Sequence, residues 1–198
     1  MIPHLIPPLA RRSSTARSVA LAVLLDCERH EAFIQEVLND HLTRSSLAGP
    51  DRRLATQLAY GVIRRRASLD ALLAAVSKRE KRQVDPPLWE ILRLGAFQLA
   101  LLERIPAHAA VKETVELVPP VSRPANIAGA KGFANGVLRS VGRLVAGKNA
   151  TEPAADALPV DDGRYLLLTQ PVLPDPTEVP ANYLAAAFSL PLWLAQRY

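Results

Sequence analysis

The residues of this 198-residue chain most suited to chemistry are its cations. They come in groups: Arg11 and Arg12, Arg17, Arg52 and Arg53, Arg64 with Arg65 and Arg66, and the run Lys78, Arg79, Lys81 and Arg82. Lys131, Arg139 and Arg143 follow at helical spacing. Clustered guanidinium and ammonium groups suit phosphate oxygens, and each counterion they release adds affinity that is independent of sequence and weakens with salt. The charge is also unevenly placed. Residues 1–149 hold 22 Lys+Arg against 13 Asp+Glu, whereas residues 150–198 hold 2 against 6. A basic body with an acidic tail points to a polyanionic partner. The bland alternative is a solvated face, with the arginines at 64–66 offsetting a helix dipole.

Other chemistries find little support. The chain has no glycine-rich phosphate loop. One cysteine and four scattered histidines exclude a zinc pattern, so no metal site is expected. Cys27 continues the apolar face of the first helix and reads as core, without a visible base. Glu113 and Glu116 are spaced i, i+3 and read as exposed helical carboxylates. His108 lies in the first turn of a helix, where it reads as a satisfied corner residue or a donor to a partner. No catalytic or cofactor-binding residue is expected in this chain. Aromatic residues make up only 5%, which argues against a base-stacking platform and for backbone and shape contacts.

The elements that must hold these cations are helical. Ser14 or Thr15 can cap a first helix with Val19, Ala20, Val23 and Leu24 on one face. Phe33, Ile34, Val37, Leu38 and Leu42 mark a second. A third begins near Asp51, buries Leu54 and Leu58, and ends in the three arginines. Ser68 is read as the cap of a fourth, ahead of the turn at Asp85-Pro86-Pro87. Residues 88–117, LWEILRLGAFQLALLERIPAHAAVKETVEL, read as a helix, a corner at Pro106 and a second helix. Gly95 inside the first of these costs about 1 kcal/mol relative to alanine, so close approach of a neighbour is expected there. A last helix covers roughly 131–144. No stretch alternates with period two convincingly, and residues 164–169 are the one plausible short strand.

Several separated blocks carry a family resemblance. They are Asp51-Arg52-Arg53-Leu54 through Gly61-Val62-Ile63-Arg64, then LRLGAFQL with RIPAHAAVKETVEL, then Gly132-Phe133-Ala134-Asn135-Gly136-Val137-Leu138-Arg139. Together they resemble the NusB-like RNA-binding domain, in the version carried by Sun/RsmB-type ribosomal RNA cytosine-5 methyltransferases. Gly136 stands where that family usually has alanine. The resemblance implies an all-α NusB-like bundle of two packed three-helix halves that binds RNA or docks a protein partner. It makes the basic residues named above candidate RNA contacts. FSLPLWLAQRY resembles the junction to the methyltransferase module. That module would bind S-adenosylmethionine and methylate C5 of a cytosine through its own cysteine, which Cys27 does not match.

The expected organisation is a flexible basic arm over 1–13, a helical RNA-binding domain over 14–146, a proline-rich extended linker over 147–180, and the start of a further module over 181–198. A lone cysteine and no long apolar run fit a cytoplasmic protein without a membrane span. The rival reading is a stand-alone transcription antitermination factor of the NusB type, binding RNA and a protein. A helical domain that binds only protein is the third.

Overall fold

The computed structural model describes residues 14–30, 32–118, 127–161 and 163–197. Arg11 and Arg12 lie outside the described residues. The chain divides into two compact units, Met1–Ala59 and Tyr60–Tyr198.

The first unit holds α1 (Ala16–His30), α2 (Ile34–Arg44) and most of α3 (Gly49–Arg64). Thr15 and Ser18 cap α1 reciprocally: the Ser18 N–H donates to Thr15 Oγ1 at 3.1 Å and the Thr15 N–H to Ser18 Oγ at 2.9 Å. Ala16, Val19, Leu47 and Ala55 form a small core, with Leu42 and Leu54 packed against it. His41 Nε2 lies 2.8 Å from Asp26 Oδ2 and ties α2 to α1. Phe33 corrects the sequence reading. It is 80% exposed, because it precedes the first turn of α2 and falls outside its apolar stripe.

The second unit is built around α5 (Pro86–Leu101), which is buried on nearly every face. A helix apolar all round belongs in a core. Around it lie α4 (Arg66–Val76), a 3-10 turn at Lys81–Gln83, α6 (Ala107–Val115) and α7 (Ile127–Leu144). The corner is as expected, with Pro106 at the N-cap of α6. Gly95 also does what its position demanded: a Cβ there would sit 2.5 Å from Leu138 Cδ2, so α7 could not approach. The buried Gln98 amide donates to Leu94 O at 2.9 Å and to Thr114 Oγ1 at 3.1 Å, so its polarity is satisfied.

The segment read as an extended linker instead contains a sheet. Strands β1 (Val145–Ala150), β2 (Ala157–Asp161) and β3 (Arg164–Leu168) pair antiparallel in the order β1-β3-β2. Only β3 was legible in advance. β2 buries Ala157, Leu158 and Pro159 consecutively and so shows no alternation. β1 is interrupted at Gly147, whose φ is 68°, where the register with β3 shifts. Pro159 is tolerated because β2 is an edge strand.

Beyond the sheet, α8 (Pro180–Phe188) and α9 (Leu192–Ala195) complete the unit. Ser68 was read as the cap of its own helix, and that reading is corrected. The N-cap of α4 is Arg65, which makes no side-chain cap bond. Its place is taken by Ser189, whose Oγ accepts from the Ala67 N–H at 2.9 Å. Ser68 is fully buried, and its hydroxyl donates to Ala187 O at 2.8 Å, near the C-terminus of α8. Two helix ends thus satisfy each other's orphan groups. Ser189 holds a left-handed φ of 57° to do so. Ser189→Ala is therefore expected to lose about 0.5–2 kcal/mol in urea unfolding, through the lost cap. Ser189→Gly should lose less, since glycine accepts that φ freely. An alanine variant as stable as the parent would remove Ser189 from this joint.

Candidate nucleic-acid interface

The described cations sort into two groups. Arg17, Arg52, Arg65 and Arg66 are engaged by the fold. Arg17 is 9% exposed. Arg52 Nη1 donates to Leu42 O at 2.7 Å. Arg65 Nη2 donates to Val160 O of β2 at 2.6 Å, and burial pushes its pKa down against the pull of Asp161. Arg66 Nη2 reaches Glu90 Oε1 at 3.1 Å. The three arginines at 64–66 therefore do not close one helix. Arg64 ends α3, Arg65 precedes α4 and Arg66 opens it.

The second group faces solvent. Arg53 is exposed, and Arg64 lies over the Tyr60 ring at 5.6 Å. The loop after α4 presents Lys78, Arg79, Lys81 and Arg82. Arg79 stacks on Phe133 of α7 at 5.0 Å, which holds a guanidinium at the surface in a fixed place. Lys81 lies 3.3 Å from Asp70 and Arg82 2.6 Å from Glu80. Lys78 has no ion-pair partner among the described residues.

A charged cluster that the sequence reading passed over sits under this loop. Arg93, in the middle of α5, is 1% exposed, and Glu90 is 3% exposed. Arg93 binds Asp70 of α4 through two bonds, Nε to Oδ1 at 2.7 Å and Nη2 to Oδ2 at 2.6 Å, and also pairs with Glu90. Trp89 Nε1 donates to Asp70 Oδ1 at 2.7 Å. Burial alone would raise the Asp70 pKa. The hydrogen bonds from Arg93 and Trp89, with the charges of Arg93 and Lys81, outweigh it and hold the carboxyl below its usual range. Burial likewise opposes the Arg93 charge, but Asp70 and Glu90 raise its pKa. The network fixes the base of the basic loop to α5. Its sequence signal was available: a glutamate and an arginine three apart inside a largely apolar helix need partners.

Arg139 and Arg143 face a different feature, a cleft of about 740 Å³ where α6 and α7 meet over α5. Leu99, Val111, Val115 and Leu138 line it. His108 and Lys112 of α6 and Glu116 just past its end line it at one residue per turn, and Asn135, Arg139 and Arg143 likewise along α7. Lys131 lies 3.4 Å from Glu116, which lines the same cleft. Among the described residues, no group of three or more His, Cys, Asp or Glu could hold a metal ion, and no helix is long and apolar enough to cross a membrane.

Comparison with known proteins fits this architecture. A Mycobacterium tuberculosis protein named as a methyltransferase is 32% identical over all of this chain, which covers 38% of its length. The ribosomal RNA small subunit methyltransferase B of Thermus thermophilus is 39% identical over 65% of this chain and 30% of its own. The chain thus spans 30–38% of the length of these relatives. The transcription antitermination protein NusB of Halorhodospira halophila is 33% identical over 69% of this chain and 84% of its own. A solved structure of T. maritima NusB superposes with a TM-score of 0.55 over 66% of this chain and 92% of its own, at 18% identity. The sequence pattern of the NusB family matches residues 14–143. With its helices, its central hairpin and that match in agreement, the chain belongs to the NusB family.

Proposed function

We propose that this chain binds ribosomal RNA and serves as the RNA-docking part of a small-subunit ribosomal RNA cytosine-5 methyltransferase acting in the cytoplasm. Transfer from S-adenosylmethionine would belong to a separate catalytic module. The observation that carries the reading is the family domain shared with relatives named for ribosomal RNA methylation. The exposed loop Lys78–Arg82, seated on the Arg93 network, supplies the electrostatics such a role requires. Arg53 and Arg64 offer further exposed cations. The match to an antitermination NusB over 84% of its length favours a second reading, an RNA-binding factor with a protein partner. The docked sheet and helices after residue 143 lie outside the family match and favour the first.

Filter binding to a ribosomal RNA fragment across a salt series tests this. Replacing Lys78, Arg79 and Arg82 with alanine should weaken binding and flatten the slope of log K against log salt by about 2, if each cation meets a phosphate. An unchanged slope would remove this loop from the interface. The purified chain should transfer no methyl group from S-adenosylmethionine to that RNA, and measurable transfer would overturn the division of labour.

A further inference from the structure

The cleft over α5 has a character that RNA docking does not explain. Its floor is aliphatic, formed by Leu99, Val111, Val115 and Leu138, and no Phe, Tyr or Trp lines it. His108 is its one ring, too little for a platform on which successive bases stack. Lys112, Arg139 and Arg143 stand on the two walls, and Glu116 among them lies 3.4 Å from Lys131. Gly142 also lines the cleft, and a Cβ added there would meet nothing within 4 Å. That contrasts with Gly61 and Gly95, where a Cβ would collide with a neighbouring side chain. Helical glycine costs about 1 kcal/mol, and at position 142 no internal packing requires it. What it leaves is a deeper floor.

We propose that this cleft is a docking groove for an amphipathic helix of a protein partner, one whose apolar stripe is flanked by acidic residues. The walls repeat once per turn, the spacing at which a third helix would present its side chains. The nine-residue α6 is about 13 Å long and would seat two to three turns of such a helix. The aliphatic floor would bury its leucine-like anchors. The guanidinium groups of Arg139 and Arg143 and the Lys112 ammonium would meet its carboxylates at the rim. The groove is separate from the basic loop, so one chain would hold RNA and a protein helix at once.

The test uses the full chain and fluorescence anisotropy with three probes. The first is a labelled helical peptide with one leucine per turn on one face and glutamates on both sides of that stripe. The second is the same peptide with lysines in place of the glutamates, and the third is oligouridine RNA. The acidic peptide should bind and the lysine peptide should not. Gly142→Leu, which fills the floor, and the pair Arg139→Glu with Arg143→Glu should each weaken the acidic peptide at least about tenfold. Gly142→Leu should not lower the thermal unfolding temperature and should leave oligouridine affinity as it is. Failure of the acidic peptide to bind, equal binding by the lysine peptide, or indifference to Gly142→Leu would overturn the proposal. A Gly142→Leu variant that lost oligouridine instead would assign the cleft to RNA and overturn it as well.

Discussion

Arg93→Met should lower the unfolding free energy by about 3–5 kcal/mol in a urea titration at pH 7, the largest effect of any single substitution considered. Methionine fills the space of the side-chain stem, so little of that loss is cavity. It comes from the charges left behind. Glu90 is 3% exposed and Asp70 half-buried, and both depend on the Arg93 guanidinium. Removing one partner of a buried ionic cluster strands the others without water. Arg66 can still reach Glu90 at 3.1 Å, but Asp70 keeps only Trp89 and the exposed Lys81. Asp70→Asn with Arg93→Met should cost less than the two single losses added, because the second change removes a charge the first had stranded.

The pH dependence carries the same signature. The Asp70 pKa is held below the ordinary 3.8, so the folded state favours its ionised form. Its contribution is fully present above the unfolded value and is lost as pH falls through the folded one. The parent protein should therefore lose stability on acidification below pH 3.8, and the Arg93→Met variant should lack this part of the slope. A loss under about 1 kcal/mol at pH 7, or an unaltered acid limb, would show that the network is not what secures α4 to α5.

Gly61→Ala should also destabilise, by about 1–3 kcal/mol in the same titration, although alanine is the better helix former. An added Cβ would lie 2.0 Å from Phe97 Cζ, and two further ring atoms would stand within 2.6 Å. The Phe97 ring is 6% exposed and cannot swing into solvent. Either α3 and α5 separate or the ring leaves its rotamer, and both are costly in a close-packed interior. The paired change Phe97→Leu should recover part of the loss, giving a coupling energy above about 1 kcal/mol. Gly142→Ala offers the opposite case. With open space at its Cβ, the substitution should stabilise by about 0.4–1 kcal/mol. The same change at two helical positions would then carry opposite signs. Equal signs would show that helix propensity, not contact, governs both sites.

The helices were legible because their apolar residues recur at 3.6-residue spacing and their ends carry proline and capping groups. Pro106 and the apolar run of residues 88–102 defined the central hairpin, and Gly95 marked a close approach. The family resemblance drawn from residues 51–64, 88–117 and 132–139 lies within the matched span 14–143. The sheet after residue 144 was not legible. A strand buried in consecutive positions and a strand broken at a glycine both lose the two-residue period by which strands are recognised.

The basic clusters show the same divide at the level of single side chains. Composition and local spacing determined that this chain is cationic and mostly helical, and the resemblance of its sequence blocks pointed to the NusB family. They could not say which cations are free, because a guanidinium's partner is chosen by what folds against it. Arg65 meets a carbonyl at position 160, and the cap of α4 arrives from Ser189. Arg93, inside an apolar helix, finds its carboxylate at Asp70 on another. These pairings join residues 95, 122 and 23 positions apart, and only the packed chain brings them within hydrogen-bond reach. Helix periodicity is a local property and survives in the sequence, whereas the partner of a buried charge is a property of the fold alone.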